Sequence, residues 1–246
     1  MSSNSAMLDV AGRVAMISGA SRGIGAAIAA RLLADGYRVS LGVRDVQATS
    51  RVFAGQPAES LHIDKFDAVD PATAERWVES TLQRFGELHA LVNNAGIFRQ
   101  VTFDEGSDAD LDALWQVNVK APFQLTRLAM PALRRCGNGR IVNVASTDGL
   151  RFRENGASVG YTMSKHALVA MTHAARQFGY ADGVRATALC PGAVDTDLVA
   201  GLPGVTPAAG RLAPETVAGL VATLLALPNN ASVALLPVNT RVESTL

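Results

Sequence analysis

A parallel α/β sheet, doubly wound with helices on both faces, is the fold class this sequence predicts, and three observations predict it. Short apolar, β-branched runs recur along the chain; helical stretches separate them; and the first run passes through a glycine-rich turn straight into a helix. Parallel strands buried on both faces read as continuous apolar runs, because neither side meets water. Strict alternation with right-handed crossovers then gives about seven strands in one doubly wound sheet. The ligand crevice of such a sheet lies beyond the carboxyl ends of its strands.

Residues 13–18 (RVAMIS) form the first strand, 19–25 the turn, and 24–33 an alanine-rich helix that stops before Asp35 and Gly36. The second strand is 38–43 (RVSLGV) and the third 61–64. A helix over about 71–85 starts on Pro71 with Asp70 as N-cap, since the first helical position needs no N–H. Residues 88–93 (LHALVN) are the fourth strand. A long helical stretch over about 108–135 is interrupted at Pro122 and again at Pro131, because proline removes a donor. Then come a strand at 140–145 (RIVNVA), a helix at 161–178 and a strand at 184–189 (VRATAL). A last helix, 214–227, leads into a strand at 233–236. Residues 200–210, rich in Gly, Pro and Ala, make the one long structureless loop, and loops of that kind often serve as lids.

The 246 residues, 48% hydrophobic and 18% charged, suit one domain spanning 1–246, with residues 1–7 as a frayed polar tail. A net charge of +0 leaves no basic footprint, so no nucleic-acid partner is expected. No apolar run reaches the roughly 18 residues that would suggest a membrane span, and the start lacks a signal peptide. Cys136 and Cys190 are too few for a disulfide framework, which points to a reducing cytoplasm. His62, His89, His166 and His173 show no metal spacing, and no metal is expected.

The turn from Ser18 to Gly25 carries Gly19, Ser21, Arg22, Gly23 and Ile24 between strand and helix. Glycines there permit unusual backbone angles and close approach of a pyrophosphate, whose charge meets free N–H groups and the helix dipole. The end of the second strand selects the cofactor: an acid would bind the 2′-hydroxyl of NAD, a base the 2′-phosphate of NADP. Val43 is no acid, and Arg44 and Arg22 offer two guanidiniums, so NADP(H) is favoured over NAD(H). Asp45 offers Arg44 another partner. Tyr161 and Lys165, four apart on a helix, leave the same face, and an ammonium near a phenol favours the phenolate. Taken alone, that spacing also describes a solvated helix face.

In company the motifs resemble the short-chain dehydrogenase/reductase family, over nearly the whole chain from about residue 8 to 238. They are the Gly19-to-Gly25 turn, Asn93-Asn94-Ala95-Gly96, Asn118, Ser146, Tyr161-x-x-x-Lys165, and Pro191-Gly192 with Thr196. The resemblance implies a Rossmann-type fold and a catalytic set of Asn118, Ser146, Tyr161 and Lys165. Tyr161 would be the acid in carbonyl reduction and the base in alcohol oxidation. Ser146 would hydrogen-bond the substrate oxygen. Lys165 would lower the tyrosine pKa and hold the nicotinamide ribose, and the backbone carbonyl of Asn118 would hold a relay water. Asp67 would recognise the adenine amine; Asn94, Ala95, Gly96, Pro191, Gly192, Val194 and Thr196 would line the cofactor.

The implied activity is hydride transfer between nicotinamide and a small-molecule carbonyl or secondary alcohol. Reduction of 3-oxoacyl groups on a carrier protein is one alternative, and a non-catalytic NADP-binding regulator on the same fold is another. A homo-oligomer, dimer or tetramer, is expected from the family. Substrate selectivity would come from residues 148–160 and from a substrate loop at 197–212. Arg151 or Arg153 facing the substrate would favour an anionic carbonyl compound; the other reading leaves both in solvent. Leu150, Phe152, Leu198, Val199, Leu202 and Val205 suggest a partly apolar pocket. The ending VALLPVNTRVESTL lacks the glycines usual after the last strand of the carrier-protein reductases.

Overall fold

The computed structural model describes residues 6–152, 158–200 and 206–240. Its strands are β1 (Val14–Ser18), β2 (Arg38–Val43), β3 (Leu61–Lys65), β4 (Ala90–Asn93), β5 (Arg140–Val144), β6 (Arg185–Pro191) and β7 (Leu235–Val238). All pairings are parallel, in the order β3-β2-β1-β4-β5-β6-β7. The helices are α1 (Gly23–Ala34), α2 (Val46–Val52), α3 (Pro71–Phe85), α4 (Asp108–Trp115), α5 (Ala121–Arg135), α6 (Val159–Gly179) and α7 (Pro214–Ala226). The strand order reverses between β1 and β4, which opens the crevice at their carboxyl ends. The expected seven-stranded, doubly wound parallel sheet is the observed one.

Side chains alternate faces along each strand. In β1, Ala15 and Ile17 meet Ile28 and Leu32 of α1 and Val217 and Val221 of α7. Val14 and Met16 point the other way, into a core with Trp77 of α3, Leu125 of α5 and Ala175 of α6. Each fully buried Ile, Leu or Val contributes about 1.5–3 kcal/mol, and every residue of β1 is buried. Trp77 lies flat on β2 only because position 42 is glycine: a Cβ there would come 2.5 Å from the indole ring. Its Nε1 donates to Ser40 Oγ at 2.9 Å, so the largest core side chain leaves no polar atom stranded.

Several elements differ from expectation. Helix α2 was not expected, for its seven residues, VQATSRV, show no apolar period; Asp45 starts it by accepting from the Ala48 N–H at 2.9 Å. Helix α6 begins two residues early because Ser158 is its N-cap. The interruption assigned to Pro122 lies just before it, in a π-helical turn, Gln116–Lys120, where the Ala121 N–H reaches back to the Gln116 carbonyl. Pro122 itself sits in the first turn of α5, where it costs nothing. Pro131 does not interrupt α5: it is exposed, so water can serve the carbonyl it deprives. Strand β4 starts at Ala90 and β7 at Leu235, each two residues late. Of the expected tail, residues 1–5 lie outside the described residues, and the Leu8 N–H is tied to the Ala226 carbonyl at 2.8 Å.

Candidate active site

The turn after β1 is built for close approach. Gly19 and Gly23 take positive φ, +69° and +55°. A Cβ on Gly19 would come 2.9 Å from Ala95 Cα, and one on Gly25 would come 2.3 Å from the Gly19 carbonyl oxygen and 2.5 Å from Asn94 Nδ2. The turn is braced from the end of β4. Asn94 Nδ2 donates to the Ser18 and Gly19 carbonyls at 3.0 and 3.1 Å, while Ser18 Oγ accepts from the Asn94 and Ala95 N–H groups. Ser18 was not among the expected residues, and Asn94 proves to hold the turn. Arg22 is the N-cap of α1 but its side chain caps no N–H. The helix therefore presents its positive end beside a turn packed too tightly to admit a Cβ at Gly19 or Gly25, which fits the pyrophosphate of a dinucleotide. Ser21 is exposed beside it, and Ile24 turns into the core.

Arg44 stands exposed at the end of β2. The carboxylate of Asp45 is committed to the cap of α2, and Arg44 has no ion-pair partner among the described residues. Arg22 does have one: its Nη1 lies 2.7 Å from Asp197 Oδ2. Asp67, half-buried after β3, accepts from the Val69 N–H at 3.2 Å. Beyond β6, the Gly192 N–H donates to the Val238 carbonyl at 2.8 Å, and a Cβ on Gly192 would strike Asn239. Val194 is buried and bridged to Leu212. Thr196 then reaches back to the glycine turn, its Cγ2 within 3.2 Å of a Cβ on Gly23. The segment after Pro191 thus crosses the ends of β5 and β4 to meet β1.

Lys165 is 5% exposed, and its Nζ donates to the Val144 carbonyl at 3.0 Å. The same Nζ lies 5.6 Å from the centroid of the Tyr161 ring. Burial pushes the lysine pKa down to about 8, partly opposed by Cys190 and Asp148. Tyr161 is held at the start of α6, where its N–H donates to Ser158 Oγ at 3.1 Å and its ring packs 5.1 Å from that of Phe98. Ser146 follows β5, two residues after the carbonyl that holds Lys165. Its Oγ accepts from the Asp148 N–H at 3.1 Å, capping a short 3-10 turn, Thr147–Gly149. That turn is pressed on α6, since a Cβ on Gly149 would come 2.8 Å from the Lys165 carbonyl oxygen.

Asn118, 1% exposed, sits in the π turn and pairs with both backbone polar groups of one residue. Its Oδ1 accepts from the Ile97 N–H at 2.9 Å and its Nδ2 donates to the Ile97 carbonyl at 3.0 Å. Nδ2 also donates to Ser164 Oγ, which donates to the Tyr161 carbonyl at 2.7 Å. Gly96 is where these parts meet: a Cβ there would lie 3.3 Å from Asn118 Oδ1 and 3.7 Å from Lys165 Nζ. Beneath lies a buried polar pair missed in the sequence. Asn93 Nδ2 donates to Asn143 Oδ1 at 2.8 Å and to Thr126 Oγ1 at 3.1 Å, and Asn143 Nδ2 donates to Thr172 Oγ1 at 2.7 Å. The matching runs LVN, at the end of β4, and IVN, within β5, were its signal.

On the substrate side, Leu150 is half-buried and packs against the small cluster of Ala145, Leu168, Ala188 and Cys190. Phe152 is 56% exposed, Leu198 is exposed, and Arg151 and Val199 are half-buried. Arg153, Leu202 and Val205 lie outside the described residues. Cys190 is fully buried, and burial pushes its thiol up to about 11, as suits a core residue.

A family model described as short chain dehydrogenase matches residues 13–203. Agropine synthesis reductase of Rhizobium rhizogenes is 39% identical over 221 residues, 89% of this chain; the chain spans only 50% of that relative's length. An alcohol dehydrogenase from the archaeon Thermococcus sibiricus, solved with 5-hydroxy-NADP, superposes with a TM-score of 0.84 at 30% identity, covering 94% of this chain and 99% of that one. A 3-ketoacyl-(acyl-carrier-protein) reductase from Brucella melitensis, solved with NADH, gives 0.85 at 29% identity, covering 94% and 98%.

Proposed function

The chain belongs to the short-chain dehydrogenase/reductase family, and from that premise we propose an NADP-dependent oxidoreductase that interconverts a carbonyl and a secondary alcohol with Tyr161 as acid and base. One observation carries the reading: a buried ammonium, Lys165 Nζ, held by the Val144 carbonyl and 5.6 Å from the Tyr161 ring centroid. When bound, the nicotinamide supplies or accepts the hydride. In the reductive direction Tyr161 gives its proton to the carbonyl oxygen, and Ser146 Oγ donates a hydrogen bond to that oxygen as charge grows there. Lys165, charged below about pH 8, lowers the cost of the phenolate left behind. The Asn118 side chain fixes Ile97 and Ser164 around it, and its backbone carbonyl serves the proton relay. Gly19, Gly23 and Gly25 receive the pyrophosphate, Asp67 the adenine, and Thr196 the nicotinamide end.

Arg44, exposed and without a carboxylate partner among the described residues, supports NADP over NAD, with Arg22 as the second guanidinium. The single domain is read as working in a reducing cytoplasm as a homo-oligomer. A groove of ≈ 380 Å³ between α5 and α6, lined by Phe123, Met130, Pro131, Met171 and Phe178, supports a second copy as the occupant of that face. A panel of aldehydes and ketones with NADPH and with NADH tests the function. Turnover with NADPH on some member is expected; tight cofactor binding with no turnover on any would replace the enzyme by a regulator. Light scattering on the purified protein reports the assembly.

A further inference from the structure

The Arg22–Asp197 pair is placed where it can decide between cofactors. Arg22 belongs to the turn after β1 and Asp197 to the segment after β6, and β4 and β5 lie between those strands in the sheet. A contact of 2.7 Å across that distance bridges the mouth of the crevice next to the cradle for the phosphates. Both side chains are open to water, 71% and 73% exposed, so the pair is weak and exchangeable. Arg44 differs, because it makes no ion pair among the described residues, the Asp45 carboxylate being turned to the cap of α2.

We infer that Asp197 is a cofactor-specificity residue acting through Arg22: it competes with the 2′-phosphate of NADP for the guanidinium. This rests on the NADP reading above. A phosphate dianion offers two oxygens to the planar fork and carries more charge than a carboxylate, so it displaces Asp197. The displacement has a cost that NAD, with no phosphate there, never meets. Asp197 thereby narrows the preference for NADP that Arg22 and Arg44 create. Thr196, held against Gly23, keeps the carboxylate within reach of the arginine after it has been displaced.

The test is titration of NADPH and NADH by nucleotide fluorescence into wild type, Asp197→Asn, Arg22→Ala and the double variant. Asp197→Asn should tighten NADPH by about two- to fivefold, the span that an exposed pair allows, and leave NADH unchanged. In the Arg22→Ala background the same substitution should do nothing. Equal tightening of both cofactors, or a gain that persists without Arg22, would overturn the competition. If wild type prefers NADPH and Arg22→Ala erodes that preference while Asp197→Asn changes nothing, the competition alone is refuted. If wild type binds both cofactors equally and Arg22→Ala weakens neither selectively, the NADP reading falls with it.

Discussion

Lys165→Met should remove turnover without destabilising the protein at neutral pH. On folding, the lysine pKa falls from 10.5 to about 8, because the ammonium is buried with the Val144 carbonyl as its protein acceptor. The folded value is the lower one. Between about pH 8 and 10.5 the unfolded chain therefore holds more protons, and stability rises with pH; below 8 both states are charged and the full cost remains. That cost is about 3 kcal/mol at pH 7. Methionine fills a similar volume without charge and relieves it, but leaves the Val144 carbonyl without that donor, at about 1–3 kcal/mol. The two nearly cancel, so the variant should match wild type or exceed it by up to about 2 kcal/mol. From pH 7 to 9 wild type should gain about 1 kcal/mol on the variant, which lacks the titrating group. Urea unfolding of both proteins at the two pH values, with NADPH oxidation alongside, measures each quantity. Coincident pH slopes, or a variant weaker by several kcal/mol at pH 7, would refute the picture of a costly buried cation. Wild-type carbonyl reduction should also decline above about pH 8 as the ammonium is lost.

Tyr161→Phe should abolish most turnover while leaving NADPH affinity within about twofold, read by a rate assay and a fluorescence titration; near-normal rates would end its acid/base role. Gly25→Ala should weaken both NADPH and NADH at least about tenfold, since its methyl would come 2.3 Å from the Gly19 carbonyl oxygen and force the turn out of shape. Asn118→Ala should lower stability by at least about 2 kcal/mol in urea, because the N–H and the carbonyl of Ile97 both lose their partner. Gly42→Ala, whose added methyl would meet Trp77 and no site side chain, should cost about 1–3 kcal/mol through that clash, and its kcat should stay near wild type.

The sheet was legible because burial on both faces writes itself as apolar runs: VAMIS and ALVN could be little else. Helix α2 was illegible for the opposite reason. It rests on one capping carboxylate and buries only Thr49, so no period marks it. The site was legible as a set of residue types, yet their duties were not. Asn94 looks like a cofactor residue in the sequence and acts as a brace for the glycine turn. Asp45 looks like a partner for Arg44 and caps a helix instead. Asp197 carries no signal at all, because the contact it makes joins positions 175 residues apart.

Asn93 and Asn143 sit directly opposite each other where β4 pairs with β5. If β5 slid by two residues, every side chain would return to its own face and the apolar contacts would barely register the error. The two amides would register it. Each would be buried away from its partner, at about 1–3 kcal/mol apiece. They act as an alignment key between the apolar stretches ALV of β4 and IV of β5. What they align is the candidate site: Gly96 follows the end of one strand and Ser146 the end of the other, so the key fixes one segment against the other.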